Sequence, residues 1–254
     1  MRSTIPDFDG RLSVVVPVKD ERDNIVPLVT EIHDALAHLP EFEVIYVDDG
    51  SSDGTTEVLR EARKRFPKLR VIRHERACGQ STAVYTGVRA ARYPWIATLD
   101  GDGQNNPEDI SALLEAVKPG VRPARLALVA GNRVTRRDTR FRRFSSRVAN
   151  GVRGNLLNDR TPDTGCGLKV FSRDAFLELP FFDHMHRFLP ALVLRHGGEI
   201  QSVPVSHRHR QAGRSKYGLH NRLWVGIVDL FGVMWLNRRM KRPVILPEDS
   251  SNER

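Results

Sequence analysis

Five short apolar runs constrain any fold of this chain: LSVVVPV (12–18), EVIYVDD (43–49), LRVI (69–72), WIATLD (95–100) and LALVAG (126–131). They are rich in valine and isoleucine, and apolar at nearly every position rather than at every second one. A strand of that kind must be covered on both faces, which is the condition of a parallel sheet. Parallel neighbours need a crossover, usually a helix, and helical periodicity fills the intervals at about 24–39, 55–66, 81–91 and 107–117. The pattern predicts an α/β fold with a mostly parallel central sheet, right-handed connections, and ligands bound beyond the carboxyl ends of the strands. With 254 residues, 40% of them hydrophobic, the chain suffices for one large domain of this class or two small ones.

The polar residues that follow these runs fall at that carboxyl edge. The first run leads into PVKDE, the second into DDGSSDGT and the fourth into DGDGQ, so Glu21, Asp48, Asp49, Asp100 and Asp102 are expected on one rim. Asp100 and Asp102 lie one residue apart and repel each other unless something positive sits between them. A bound cation is the usual remedy. An EF-hand loop counted from Asp100 would need Gly and Glu at its sixth and twelfth positions; the chain has Asn105 and Ser111 there, which excludes that reading. Turn chemistry, with Pro107 opening a helix, is the alternative for this stretch, as a turn and helix cap is for Asp48 to Asp53. No G-x-G-x-x-G follows the first run and no G-x-x-x-x-G-K-[ST] occurs, so neither a dinucleotide dehydrogenase nor a P-loop enzyme is indicated. An acidic rim suits a nucleotide held through base, ribose and a metal-bridged diphosphate, because carboxylates bind hydroxyls, ring N–H groups and cations but repel bare phosphate.

The net charge of +9 is localised. Residues 133–147 hold seven Arg and one Asp, and residues 208–222 hold five Arg or Lys and no acid. Those stretches sum to +6 and +5, leaving −2 for the rest. Such a field implies nucleic acid, lipid phosphate or an anionic membrane as partner; a solvated charge run is the alternative. Cys78 and Cys166 fit neither a disulfide framework nor a zinc spacing, and the first residues lack the apolar core of a signal peptide, so a cytoplasmic location is expected. Cys78 is expected in packing, next to a helix capped by Ser81. His184, His186, His207 and His209 form two H-x-H pairs without the Glu of a metallohydrolase signature, which favours structural or phosphate-contacting roles over zinc.

Taken in order and spacing, VVVPVKDERDNI, VIYVDDGSSDGT and LDGDGQNNPEDI resemble family 2 glycosyltransferases of the GT-A fold. Within that family, GNR, DTGCGLKVFSR and RQAGRSKYG are most similar to the dolichol-phosphate mannosyltransferase branch and its bacterial polyprenyl-phosphate relatives. The resemblance spans roughly residues 11–220. It implies that Pro17, Lys19 and Glu21 form a nucleotide-contacting loop, and that Val47 and Asp49 hold base and ribose. It also implies donor contacts from Asp100 and Gly101, and a Mg²⁺ or Mn²⁺ ion on Asp100, Asp102 and Gln104. Arg133 would contact the phosphates, Arg210 and Lys216 would close over the site, and Asp163 would lie near the acceptor mouth. Lys19 stands where the family frequently has Tyr or Phe.

The chemistry accords with that assignment. Transfer from a nucleotide sugar expels a nucleoside diphosphate, whose growing charge a divalent cation on Asp100 and Asp102 would stabilise together with Arg210 and Lys216. Asp102, Arg210 and Lys216 are therefore the catalytic candidates. A lipid monophosphate acceptor is an anionic nucleophile near neutral pH and needs no general base, and none is marked in the sequence. In NRVTRRDTRFRRFSSRVAN, Arg142 and Ser146 lie one helical turn apart and can face one phosphate, with Arg147 beside them; a basic helix facing water is the alternative. The apolar stretch Leu223 to Leu236 is interrupted by Asp229 and too short to span a bilayer. It is expected to lie in the membrane interface, with Trp224 and Trp235 at headgroup depth and Arg238, Arg239, Lys241 and Arg242 toward anionic lipid; a core helix is the alternative. The expected division is a GT-A domain over 1–222, an interfacial helix over 223–242 and a disordered tail over 243–254. The expected activity is metal-dependent transfer of a sugar from GDP-mannose or a UDP-sugar to a polyprenyl phosphate at the cytoplasmic membrane face, with inversion implied by the resemblance. Two alternatives stand beside it. One is a family 2 enzyme acting on a saccharide or protein hydroxyl, which would need a base. The other is a basic nucleic-acid-binding module, disfavoured because few aromatics, Phe141 and Phe144 among them, interleave the basic stretches.

Overall fold

Apolar residues at consecutive strand positions require a core on each side of the sheet, and the computed structural model has both. It describes residues 5–134, 153–154, 156–157, 159, 161–209 and 219–241. Strands β1 (Arg11–Val18), β2 (Glu41–Asp48), β3 (Leu69–Arg73), β4 (Trp95–Thr98), β5 (Leu126–Arg133), β6 (Lys169–Ser172) and β7 (Glu199–Val205) form one sheet in the order β3-β2-β1-β4-β6-β5-β7. Val14, Val16, Val44, Tyr46 and Trp95 face one core, and Val15, Ile45, Val47 and Ile96 face the other, as the two-residue period of a strand dictates.

The helices divide between the two faces. Residues of α1 (Ile25–Ala35), α2 (Thr55–Arg65) and α4 (Asp109–Glu115) enter the first core; those of α3 (Gln80–Ala90), α5 (Arg173–Leu177) and α6 (Leu189–His196) enter the second. In α1 the buried positions are Ile25, Leu28, Val29 and Ile32, the i, i+3, i+4, i+7 stripe of a one-sided helix. Helix α3 lies directly on β1 and β2: a Cβ on its Gly87 would press into Val15 and come within 3.2 Å of Val47 Cγ2.

The predicted strands and helices are present, with shifted ends. Helix α4 starts at Asp109 and not at Pro107, because Asn106 and Glu108 close a turn first, Asn106 Oδ1 accepting from Glu108 N–H at 3.3 Å. Helix α3 starts at Gln80 after Gly79, whose φ of 92° only glycine adopts readily. Ser81 thus sits inside the first turn and is not the cap.

The stretch DTGCGLKVFSRDAF reads as a turn, a strand and a helix, and the strand and helix are β6 and α5; β7 lay beyond the reading of the sequence. Strand β6 is antiparallel to both β4 and β5, while β5 and β7 are parallel. The direction of β6 matters, since Lys169 at its start pairs with Thr98 at the end of β4 and with Ala130 of β5. The turn before β6 therefore arrives at the same rim as the exits of β1, β2, β4, β5 and β7. Strand order reverses between β1 and β4, the switch point where open α/β sheets bind ligands.

Helix α7 (Leu219–Arg239) begins before the predicted boundary at 223. Val233 is buried in the second core, while Val225, Val228, Phe231 and Trp235 are exposed. Among the described residues, no helix is long and apolar enough to cross a membrane. The stretch 243–254 lies outside the described residues.

Candidate active site

The rim is built from strand exits that are tied to one another. Asp48, fully buried, accepts from Ser51 N–H at 2.9 Å and from the Thr56 hydroxyl, so it closes the turn between β2 and α2 as the turn reading supposed. Asp49 has a different task. Its Oδ1 accepts from Cys78 N–H and its Oδ2 from Gly79 N–H, both at 2.8 Å, and Oδ1 lies 2.7 Å from His74 Nδ1. The far nitrogen of His74 is 3.0 Å from Thr86 Oγ1. Asp49, His74 and Cys78 each place one potential ligand atom within 4.8 Å of the others, yet both His74 nitrogens and both Asp49 oxygens already have partners. The cluster is a satisfied network that seats the start of α3 against β2.

The loop after β1 is sewn to the loop after β2. Asp20, at φ 48°, accepts from Ser52 N–H at 2.7 Å, and its own N–H donates to Ser51 Oγ at 2.8 Å. Glu21 N–H donates to Thr55 Oγ1 at 2.9 Å, while Glu21 Oε2 accepts from Asn24 at 2.7 Å. Pro17 and Glu21 are half-buried and Lys19 is exposed beside them. Val47, assigned to the base by the resemblance, is fully buried in the second core.

Asp100 is held from three directions. Its N–H donates to buried Asn105 Oδ1 at 3.2 Å, and its Oδ1 accepts from Gln80 Nε2 of α3 at 2.8 Å. On the third side stands Gly167, in the turn before β6, where any Cβ would fall inside the Asp100 carboxylate. Gly101 permits the next step of the loop, since a Cβ there would press into Val18 and lie 3.0 Å from Pro17 O. Asp102, half-buried, accepts from Gln104 N–H at 3.2 Å. Burial, and then the neighbouring charge of Asp102, push the Asp100 carboxyl above the usual carboxylate range.

Opposite these carboxylates stand two cations. Arg133, at the end of β5, makes a two-pronged pair with Asp163: Nε to Oδ2 at 2.6 Å and Nη2 to Oδ1 at 2.8 Å, with Asp163 buried and Arg133 partly buried. The guanidinium expected on donor phosphates is thus engaged by Asp163 in this conformation. Lys169 is buried, donates to the carbonyls of Cys166 and Thr164, and has its pKa lowered by that burial. Gln80, Gly167 and Lys169 were not singled out from the sequence. A lysine inside the apolar run LKVF was the one local signal available.

Arg142, Ser146, Arg147, Arg210 and Lys216 lie outside the described residues. Two of the histidines have structural partners, as expected: His184 Nδ1 lies 3.2 Å from Asp229 of α7, and His186 Nδ1 lies 2.7 Å from Ser81 Oγ.

A mixed sheet with acidic strand exits at its switch point narrows the comparison with known proteins. A profile described as Glycosyl transferase family 2 matches residues 13–179. The chain belongs to that family. Dodecaprenyl-phosphate galacturonate synthase of Rhizobium johnstonii is 36% identical to this glycosyltransferase over 91% of the chain and 69% of the relative. Undecaprenyl-phosphate 4-deoxy-4-formamido-L-arabinose transferase of Edwardsiella ictaluri is 34% identical over 82% of the chain and 63% of the relative. This family 2 glycosyltransferase thus spans about two thirds of the length of those relatives. Among solved structures, a mannosyltransferase of Pyrobaculum calidifontis in complex with GDP-Man and Mn²⁺ covers 95% of the chain and 68% of its own, with TM-score 0.63 and 20% identity. Mannosyl-3-phosphoglycerate synthase of Rubrobacter xylanophilus covers 94% and 79%, with TM-score 0.66 and 17% identity. The fold is GT-A.

A divalent metal fits the residues present. The donors gathered at the rim, Asp100, Asp102 and Gln104, offer oxygen, which suits hard cations such as Mg²⁺ and Mn²⁺. Asp100, whose ionised form burial and Asp102 both disfavour, gains from an added positive charge.

Proposed function

We propose that the protein transfers a sugar, with inversion, from a nucleoside-diphosphate donor to a polyprenyl phosphate, and that it does so at the cytoplasmic face of a membrane as a peripheral protein. The observation that carries the reading is the pre-set position of Asp100 between Gln80 and Gly167, beside half-buried Asp102. Such a site gains by taking up a metal together with a diphosphate. Asp100, Asp102 and Gln104 would hold Mg²⁺ or Mn²⁺, which supplies electrostatic stabilisation of the departing nucleoside diphosphate. The loops after β1 and β2 bind the nucleotide from the opposite side of the switch point. Pro17 and Glu21 line that side, buried Asp49 seats the start of α3 behind them, Lys19 brings an exposed cation, and Gly101 lets the acidic loop approach it. Arg210 and Lys216 add positive charge at the phosphates.

The acceptor reading is supported by the two relatives, whose names specify dodecaprenyl and undecaprenyl phosphate. A phosphate monoester needs no base, and the rim carboxylates are already committed, Asp48 and Asp49 to backbone and side-chain donors and Asp163 to Arg133. Arg142, Ser146 and Arg147 would orient the acceptor phosphate. The test is transfer from a panel of radiolabelled GDP- and UDP-sugars to undecaprenyl phosphate in anionic vesicles. A lipid-extractable labelled product that is lost with excess chelator is expected. Label passing instead to a soluble saccharide or protein, with none in the lipid, would overturn the reading.

A further inference from the structure

Immediately after β7, the chain crosses to the acidic loop and is fastened there by Arg208. Its N–H donates to Gln104 O at 3.0 Å, Nη2 donates to Asn106 Oδ1, and Nη1 pairs with Glu31 of α1 at 2.7 Å. Two residues earlier, Ser206 donates through N–H and Oγ to Asp109 Oδ2 at 2.8 and 2.6 Å. Gln104 N–H in turn donates to Asp102 Oδ1. One half-buried guanidinium therefore bridges α1 and the stretch 104–106, whose backbone orients Asp102. A planar fork holds its two acceptors in fixed directions, a geometry that the compact ammonium of a lysine on its flexible stem does not impose.

We infer that Arg208 is a positioning residue for the donor metal: it braces residues 104–106 so that Asp102 and Gln104 are held ready for a cation. Arg208 itself touches neither metal nor substrate. The inference rests on the proposed assignment of metal to Asp100 and Asp102, so the experiment separates the two.

Mn²⁺ binding is measured in the presence of UDP or GDP, without sugar or acceptor, from the electron paramagnetic resonance signal of free Mn²⁺. Wild type is compared with Asp102→Asn, Arg208→Met, Arg208→Lys and Asn106→Ala, and the Tm of each is recorded without metal. Arg208→Met keeps the apolar stem and removes the fork. It is expected to weaken Mn²⁺ binding about tenfold, as loss of a charged hydrogen bond would, with Arg208→Lys intermediate. Asn106→Ala should weaken binding too, and the double variant Arg208→Met/Asn106→Ala should lose less than the product of the single losses, because the two residues form one contact. If wild type binds Mn²⁺ and Asp102→Asn does not, while Arg208→Met binds within twofold of wild type and only its Tm falls, Arg208 is structural and the inference fails alone. If wild type binds no Mn²⁺ with either nucleotide, the metal assignment fails and the inference with it. Should Arg208→Met not fold, Arg208→Lys and Asn106→Ala decide: normal Mn²⁺ affinity in both overturns the proposal.

Discussion

Ionising Asp100 carries a cost. Burial and Asp102 raise its pKa above the usual carboxylate range, so the folded state binds its proton more tightly than the unfolded chain does. For a group of that sign the stabilising contribution is full below the unfolded pKa and is lost as pH rises through the folded value. Asp100→Asn should therefore raise the Tm of the metal-free protein at pH 7, and the gap should narrow as pH falls toward the carboxylate range. Calorimetry in chelator across pH reads this directly, and a lower Tm for the variant at pH 7 would contradict it. The same variant should bind Mn²⁺ far more weakly. Gly167→Ala should have the opposite effect on stability. Its Cβ would collide with the Asp100 carboxylate, and overpacking of this kind costs roughly 1–3 kcal/mol, so stability in urea and Mn²⁺ affinity should fall together. Asp163→Ala strands the partly buried Arg133 guanidinium. Breaking a buried pair from one side costs about 3–5 kcal/mol, which a shift in urea midpoint would register.

Helix α3 shows how one element serves several parts of the site. Gly87 lets it lie on β1 and β2, the Cys78 and Gly79 N–H groups before and at its start hold Asp49, and Gln80 holds Asp100. Gly87→Val should lift the helix, cost about 1–3 kcal/mol, and weaken nucleoside diphosphate binding measured by titration calorimetry; an unfolding loss with unchanged affinity would show that the helix start is anchored independently of its middle. The strands were legible in the sequence because apolar runs ending in Asp and Gly are local signals, and the rim followed from the direction of β1, β2 and β4. The short strand β6, KVFS, was legible as a strand but its antiparallel direction was not, because periodicity does not encode direction. The partners that fix the acidic residues were illegible for a related reason. Gln80 meets Asp100 across 20 positions, Arg133 meets Asp163 across 30, and Arg208 meets Asn106 across 102, distances at which no local pattern operates.

At the scale of the molecule, charge and apolar surface are unevenly distributed. The acidic rim lies in a chain whose net +9 comes from two basic stretches, and α7 carries apolar side chains that are exposed among the described residues. Val225, Val228, Phe231 and Trp235 recur every three or four positions and are exposed, while Val233 points into the second core, so the helix is packed on one side and bare on the other. Arg239 lies 5.9 Å from the centre of the Trp235 ring, with Arg238 exposed beside it. Apolar residues flanked by arginines suit the boundary between headgroups and acyl chains. A polyprenyl phosphate acceptor would be met there. Phe231→Ser/Trp235→Ser alters only the bare face, so the protein should fold as wild type does. Insertion of an aromatic side chain contributes on the order of 1–2 kcal/mol, less than the 1.5–3 of full burial, so loss of both should weaken partitioning onto anionic vesicles roughly thirty- to several-hundredfold. Binding by wild type should weaken as salt rises, because each basic residue near an anionic leaflet adds about 1 kcal/mol that ions screen. Equal vesicle binding by the double variant would mean that the bare face of α7 is met by protein and not by lipid, and that the basic stretches alone bring this glycosyltransferase to its acceptor.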